Sequence, residues 1–229
     1  MKKPSHIGII LDGNRRFAKS LNQDVWKGHE YGYKKVLKLL EWCKEQQIKE
    51  LTLYVFSIQN FNRPKKEFDY LMNLFLKASN HAFKQDSKED LKVTFVGRKE
   101  LLPLDVRESI NKIEERTKNA KSYNLNIAIA YGGREEIEDA VKKIGKSLIE
   151  GKIKLENLDQ NTISQNMYLD SSPDLIIRTG GEKRTSNFLI WQSPYSEWIF
   201  LDKKWPEFEK QDFLDCLKEY SKRERRHGK

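Results

Sequence analysis

The chain has 229 residues, enough for one sizeable hydrophobic core, and we expect a single domain over residues 1–229. Its 43 lysine and arginine residues outnumber its 34 acidic residues, and the formal net charge of +9 suits an anionic partner. No apolar stretch approaches the roughly 20 residues that a membrane span needs, and the apolar run that follows Lys2 and Lys3 is too short for a signal peptide. We therefore expect a cytoplasmic protein.

Apolar runs and amphipathic helical patterns alternate along the chain. The predicted strands cover residues 7–11, 51–56, 93–96, 125–130, 175–177 and 198–201. The predicted helices cover residues 32–46, 67–83, 105–118, 135–149 and 208–223. Apolar strands that alternate with helices are typical of a parallel sheet covered on both faces, so we predict an α/β fold with a central six-stranded, mostly parallel sheet. The two cysteines, Cys43 and Cys216, have no partner at metal-ligand spacing, and we expect both to pack in the core.

The first predicted strand ends abruptly in polar residues that suit a phosphate site. Asp12 can hold a magnesium ion, and Gly13 lets backbone amides approach phosphate oxygens. Arg15 and Arg16 can bind phosphate bidentately. Ligands of such sheets bind beyond the carboxyl ends of the strands, which is where these residues are expected. The segment from Asp12 to Asn14 alone is more often a helix cap beside surface arginines.

Three later segments also follow predicted strands. Residues 178–187 combine two arginines, a lysine, three hydroxyls and a glycine pair, a density of donors that suits a phosphate pocket. Residues 57–63 offer a hydroxyl, amides and an arginine, but an ordinary capped turn explains them equally well. Residues 132–134 follow the fourth strand. Outside these segments, His29 could donate to phosphate from the start of a helix, and Glu197, set among aromatic residues, could be ion-paired or metal-bound.

Together these segments resemble the cis-prenyltransferase family, which includes undecaprenyl diphosphate synthase and dehydrodolichyl diphosphate synthase. The match runs along essentially the whole chain and is carried by residues 6–19, 28–29, 53–64, 131–134, 174–189, 191–192, 197 and 205–206. Residues 14–16, 56–61 and 101–105 look more like the archaeal and eukaryotic branch than the bacterial one.

The resemblance implies a hydrophobic product tunnel between the sheet and the helices, and Mg²⁺ as the cofactor. It also implies a reaction in which isopentenyl diphosphate condenses with an allylic prenyl diphosphate to give a longer Z-polyprenyl diphosphate, the precursor of a glycosyl-carrier lipid. The same likeness implies a homodimer that makes peripheral contact with a membrane for product release. It implies no nucleic-acid partner.

The resemblance also implies roles for individual residues. Asp12 and Asn60 would be catalytic, and Asp12 with Glu197 would hold the metal. The allylic diphosphate would be bound by Gly13, Asn14, Arg15, Arg16, His29 and Arg63. Isopentenyl diphosphate would be bound by Arg178, Arg184 and Ser186, with Ser57 near the condensing ends. Arg226 and Gly228, at the C-terminus, would reach the phosphate site of the second subunit.

Two positions depart from the family pattern. Val25 stands where many relatives have arginine, and Gln59 stands where the usual residue is glutamate. These departures keep open a relative that uses an unusual acceptor. An inactive scaffold subunit is disfavoured because Asp12 is retained, and a basic nucleic-acid-binding protein is disfavoured because the distinctive arginines cluster after strands. Val55 is a candidate gate for product length, since many relatives have alanine there.

Overall fold

The computed structural model describes residues 3–84 and 90–223, with the side chains of residues 81–84 left out. Within these ranges six parallel strands form one sheet in the order β3-β4-β2-β1-β5-β6. The strands are β1 His6–Ile10, β2 Glu50–Ser57, β3 Leu91–Val96, β4 Tyr123–Tyr131, β5 Leu175–Arg178 and β6 Glu197–Phe200. The predicted six-stranded α/β fold is confirmed, and the sheet is parallel throughout.

Seven α-helices surround the sheet in the described ranges. They are α1 Asn14–Ser20, α2 Gly28–Glu45, α3 Lys65–Lys84, α4 Leu104–Thr117, α5 Gly133–Ile149, α6 Gln160–Asn166 and α7 Lys210–Lys222. The short helix α6 was not predicted, because its sequence has little apolar periodicity. Its start is fixed locally by Asp159, whose side chain accepts a hydrogen bond from the Thr162 amide. No helix in the described ranges is both long and apolar enough to cross a membrane.

Helices pack on the sheet through separate apolar clusters. On one face, α2 and α7 pack on the strands through residues such as Leu39 and Phe213. Elsewhere, α3 and α4 enclose a cluster with Phe56, Phe95 and Ile129 of the strands. All residues of β1 and β5 are buried, as expected for strands in the middle of a covered parallel sheet. Both cysteines are buried as predicted, and burial raises the pKa of each thiol to about 12.

The strand register places the carboxyl ends of the central strands side by side. Ile10 of β1 pairs with Tyr54 of β2 on one side and with Arg178 of β5 on the other. The segments that follow these three strands must therefore leave the sheet at the same edge. This edge holds the candidate site.

Candidate active site

Asp12, two residues beyond the end of β1, lies between Arg16 of α1 and Arg178 of β5. Its Oδ1 accepts a hydrogen bond from Arg16 Nη2 at 3.1 Å, and its Oδ2 accepts one from Arg178 Nη2 at 3.0 Å. Its backbone carbonyl accepts from Thr179 Oγ1 and from the Trp205 amide, each at 2.8 Å. Asp12 is therefore held by both its backbone and its side chain, and the carboxylate remains partly exposed.

The turn after Asp12 depends on glycine. Gly13 has a φ of 104°, and a Cβ there would lie 2.7 Å from Lys204 Cβ. A Cβ on Gly32 of α2 would lie 2.3 Å from Asn14 Oδ1, so this glycine lets α2 approach α1 closely. Asn14 Nδ2 donates to the Leu11 carbonyl at 3.0 Å, while its buried Oδ1 has no hydrogen-bond partner.

Arg15, His29 and Arg63 gather around the carboxylate of Glu67, and we call these four residues the Glu67 cluster. Glu67 Oε1 lies 3.0 Å from Arg63 Nη1, 3.6 Å from Arg15 Nε and 3.7 Å from His29 Nε2. The Glu67 side chain is only 2% exposed, whereas that of Arg15 is 49% exposed. One buried carboxylate thus serves three basic side chains from separate parts of the chain.

Burial and charge set the ionisation of this cluster. Burial lowers the pKa of His29, and the nearby Glu67 only partly offsets that effect. His29 is therefore neutral near pH 7. Its buried Nε2 faces Glu67 Oε1 at 3.7 Å, just beyond hydrogen-bonding distance. His29, with the guanidinium groups of Arg63 and Arg15, holds the pKa of Glu67 below its usual range, so Glu67 is ionised.

The segment after β5 is organised around a buried arginine, and we call residues 178–187 the Arg178 loop. Arg178 is 3% exposed. Its Nη1 donates to Ser186 Oγ at 2.7 Å and to the Arg184 carbonyl. The exposed Arg184 side chain instead pairs with Glu182 at 2.5 Å. Both Ser186 and Asn187 have left-handed backbone conformations, with φ of 51° and 64°, which side-chain-bearing residues rarely adopt.

A cavity of about 860 Å³ opens at these groups. Its polar lining comprises Asp12, Asn14, His29, Ser57, Gln59, Asn60, Arg63, Arg178, Arg184, Ser186 and Asn187, and Tyr33, Tyr54 and Ser79 also contribute to the wall. The rest is mostly apolar and comes from α2, α3 and strands β2 to β4. Since Leu125 pairs with Leu51, six residues before Ser57, the lining extends about 20 Å along the sheet at roughly 3.3 Å per residue.

The structure brings most of the predicted residues together. Nine line this cavity, namely Asp12, Asn14, His29, Ser57, Asn60, Arg63, Arg178, Arg184 and Ser186. Gly13, Arg15 and Arg16 stand directly beside them, in the turn after β1 and in α1. Asn60 Oδ1 accepts a hydrogen bond from the Ser57 amide at 3.0 Å, so these two residues are coupled. Arg226 and Gly228 lie outside the described residues.

Glu197 is not brought to this edge. It begins β6 and pairs with Leu175, whereas Arg178 pairs with Phe200, three residues further on. Its carboxylate accepts a hydrogen bond from Arg223 Nη1 at 2.8 Å. Within a single chain Glu197 therefore lies at the opposite end of the strands from Asp12, and its role at the metal stays a prediction. Flanking aromatic residues indicated a constrained carboxylate but not which end of the strand carries it.

The sequence analysis gave no role to two residues at the site, the carboxylate Glu67 and the amide Asn187. Glu67 follows Arg63 by four residues in the first turn of α3, a spacing that favours an ion pair and could have revealed it. Asn187 had no comparable signal, because its partners lie more than 50 residues away. No group of three or more His, Cys, Asp or Glu side chains that could hold a metal occurs among residues 3–84 and 90–223 where side chains are described.

Comparison with known proteins places this geometry in context. The family model for undecaprenyl diphosphate synthase matches residues 10–228. The tritrans,polycis-undecaprenyl-diphosphate synthase (geranylgeranyl-diphosphate specific) of Thermococcus kodakarensis is 46% identical, over 99% of this chain and 87% of its own length. The protein of the same name from Methanocaldococcus jannaschii is also 46% identical, over 99% and 83%.

A solved structure agrees with these sequence matches. The crystal structure of lavandulyl diphosphate synthase from Lavandula x intermedia, in complex with dimethylallyl diphosphate, superposes with a TM-score of 0.94. The two chains are 35% identical, and the match covers 99% of each. The likeness therefore includes both the fold and the sequence.

Proposed function

Since the chain belongs to the undecaprenyl diphosphate synthase family of prenyltransferases, we propose that it condenses isopentenyl diphosphate with an allylic prenyl diphosphate. The product is a longer Z-polyprenyl diphosphate, which serves as a precursor of a glycosyl-carrier lipid. The observation that carries this proposal is the meeting of two basic clusters at Asp12, at the mouth of one long and mostly apolar cavity. Two diphosphates and one hydrocarbon chain are the ligands that such a site can hold.

In this proposal the Glu67 cluster and the residues beside Asp12 bind the allylic diphosphate, and the Arg178 loop binds isopentenyl diphosphate. The allylic C–O bond breaks, and its electron pair leaves with the diphosphate. The double bond of isopentenyl diphosphate then attacks the allylic carbon, and loss of a proton forms the new cis double bond. Fixed guanidinium groups stabilise the negative charge that develops on the leaving diphosphate. Ser57 and Asn60 lie near the condensing ends.

The donor set at Asp12 fits Mg²⁺. In proteins this ion commonly binds one or two carboxylates together with substrate phosphate oxygens. Asp12 supplies one partly exposed carboxylate on the same cavity as the basic side chains. When bound, the ion would neutralise charge on the diphosphate. Arg16 and Arg178, which now bind the Asp12 oxygens, would be free to turn toward phosphate.

The apolar part of the cavity would hold the growing prenyl chain. Two relatives are named as geranylgeranyl-diphosphate specific, so we propose a C20 allylic diphosphate as the preferred primer. We further propose a homodimer of single-domain chains, in which Arg226 and Gly228 reach the partner's phosphate site. The finished product would leave through peripheral contact of the cytoplasmic enzyme with a membrane.

A second candidate is a family member that uses an unusual acceptor in place of isopentenyl diphosphate. The observation that favours it is Gln59, which lines the cavity where the family pattern has a glutamate. Gln59 precedes Asn60, so the negative charge is missing close to the proposed condensing ends.

A product-length assay tests both candidates. The purified protein is incubated with Mg²⁺, labelled isopentenyl diphosphate and allylic diphosphates of 5, 10, 15 or 20 carbons, and the products are separated by length. We expect elongation, fastest with the 20-carbon primer, and its loss when the metal is chelated. Arg63→Ala should abolish most turnover, and Arg116→Ala, on the exposed surface of α4, is its matched control. Absence of product from every pairing would reject chain elongation and favour the acceptor variant.

A further inference from the structure

We propose that Asn187 is a positioning residue that fixes the Arg178 loop by locking it to the start of α5. The inference rests on the proposed function, because it concerns the loop assigned to isopentenyl diphosphate. It also gives a role to residues 132–134, the one polar segment after a strand that the proposed reaction does not use directly.

Asn187 makes three hydrogen bonds to the first residues of α5. Its Oδ1 accepts from the Arg134 amide at 2.9 Å, and its Nδ2 donates to Glu135 Oε2 at 2.9 Å. Its backbone carbonyl accepts from the Gly133 amide at 2.8 Å. The first amides of a helix have no partner within the helix, and the N-cap Gly132 has no side chain to supply one. Asn187 therefore caps α5 from a distant part of the chain, and we call these three hydrogen bonds the lock.

The glycine pair at the start of α5 makes this contact sterically possible. A Cβ on Gly132 would lie 2.1 Å from Glu135 Oε2 and 2.8 Å from Asn187 Nδ2. A Cβ on Gly133 would lie 2.7 Å from Ile190 Cγ1 and 3.1 Å from the Asn187 carbonyl oxygen. A side chain at position 132 would displace the Glu135 and Asn187 side chains that bond to each other, and one at position 133 would crowd Ile190 and the Asn187 carbonyl. The glycines are thus explained by the lock and need no direct contact with phosphate.

The lock is connected to the substrate-facing groups through adjacent residues. Ser186 precedes Asn187, and its Oγ accepts from Arg178 Nη1 at 2.7 Å. Phe188 follows it, is fully buried, and stacks on Tyr54 with ring centroids 4.8 Å apart. Asparagine tolerates the left-handed conformation seen at position 187 better than most residues do. A displacement of Asn187 would therefore be passed to Ser186 and Arg178.

Asn187 acts through its neighbours and not on the substrate. Its Oδ1, its Nδ2 and its carbonyl oxygen are all engaged with α5, although the residue lies at the cavity wall. The Glu67 cluster lies on other elements and shares none of these hydrogen bonds. Loss of the lock should therefore impair binding of isopentenyl diphosphate selectively.

An exchange of donor and acceptor tests the lock. Asn187→Asp still offers an acceptor to the Arg134 amide but sets a carboxylate against Glu135. The double variant Asn187→Asp with Glu135→Gln restores one donor and one acceptor with their positions exchanged. Asn111→Asp, on the exposed surface of α4, makes the same chemical change at a distance and is the matched control. Steady-state kinetics with the allylic and the isopentenyl substrate each varied, and the melting temperature, are measured for every variant.

We expect Asn187→Asp to raise the KM for isopentenyl diphosphate about tenfold and to leave the allylic KM within about twofold. The double variant should return the first KM to within about threefold of wild type. Equal rises in both KM values, no rise in either, or no recovery in the double variant would overturn the positioning role. If Asn187→Asp does not fold, Glu135→Ala, which removes one bond of the lock, must still raise the isopentenyl KM selectively. Wild-type protein without any turnover would instead reject the proposed function and this inference with it.

Discussion

The Glu67 cluster and the Arg178 loop present similar chemical groups on different supports. In the cluster, side chains from α1, the start of α2 and the turn before α3 converge on one buried carboxylate. In the loop, donors that are close in sequence are arranged by left-handed backbone and by the neutral amide of Asn187. The cluster is held by charge, and the loop is held by conformation.

This difference decides what each region is sensitive to. Removing a charge should disturb the cluster, because a buried carboxylate and its partners compensate one another. Removing a backbone constraint should disturb the loop, since its side chains have no common counter-ion. Asp12 lies between the regions and accepts hydrogen bonds from Arg16 on one side and Arg178 on the other.

The largest effect is expected where the two regions meet. Asp12→Ala should lower kcat by about 10³-fold or more, because it removes the proposed metal ligand and leaves Arg16 and Arg178 without their shared partner. The fold should persist, since the backbone bonds of residue 12 remain, but the melting temperature should fall because the buried Arg178 loses its carboxylate partner. Single-turnover and thermal-melting measurements check this, with Asp24→Ala as the control. Near-normal turnover of Asp12→Ala would show that the regions work without a common centre.

Glu67→Gln removes one negative charge from the Glu67 cluster and leaves the Arg178 loop unchanged. We expect turnover to fall about tenfold, because Arg15, Arg63 and His29 lose the group that gathers them. The same loss should make inorganic diphosphate bind several-fold more tightly, since the basic side chains no longer have an internal anion. Calorimetric titration with diphosphate and steady-state rates measure the two effects.

The matched control for this change is Glu182→Gln in the Arg178 loop. Glu182 also pairs with an arginine, but both side chains are exposed. Exposed pairs contribute little, so diphosphate affinity and turnover should stay within about twofold of wild type. Similar responses to Glu67→Gln and Glu182→Gln would remove the proposed distinction between the regions.

The two regions also differ in how far the sequence predicts them. The alternation of apolar strands with amphipathic helices predicts the sheet and its covered faces. The polar residues that follow the strands predict the edge that carries Asp12 and Arg178. Both signals are local properties of the sequence. Glu67 shows a local signal, the four-residue spacing from Arg63. Asn187 shows none, because its partners are remote in sequence and its conformation arises only on packing. The placement of Glu197 was not predictable for a related reason, since local sequence does not say which end of β6 lies at the site.

A smaller effect concerns pH. Burial lowers the folded-state pKa of His29 below the unfolded value of about 6.5, so folding disfavours its protonation. Its contribution to stability is complete above pH 6.5 and is lost as the pH falls toward the folded pKa, by at most about 1.4 kcal/mol per pH unit. Urea unfolding between pH 5 and 8 should show this slope, and His29→Gln should reduce it.

The buried His6 has a lowered pKa as well, so part of the slope should persist in His29→Gln. His6→Gln is therefore the second control, and it should remove a separate part of the pH dependence of the unfolding free energy. The Arg178 loop contains no histidine, and changes within it should leave the slope unaltered. A slope unchanged by His29→Gln would contradict the buried, neutral state of His29.

The smallest expected effect lies in the cavity beyond both regions. Val55 is 44% exposed although it lies within β2, and its side chain lines the cavity. The register between β2 and β4 shifts between Tyr54 and Phe56, on either side of this residue. Val55→Ala removes bulk there without touching either basic region, so we expect longer products, by about one or two isoprene units, with both KM values unchanged. Product chromatography tests this, with Val141→Ala on exposed α5 as the control. An unaltered length distribution would mean that another part of the wall limits growth, whereas a changed KM would mean that the hydrocarbon wall and the diphosphate sites are not separable.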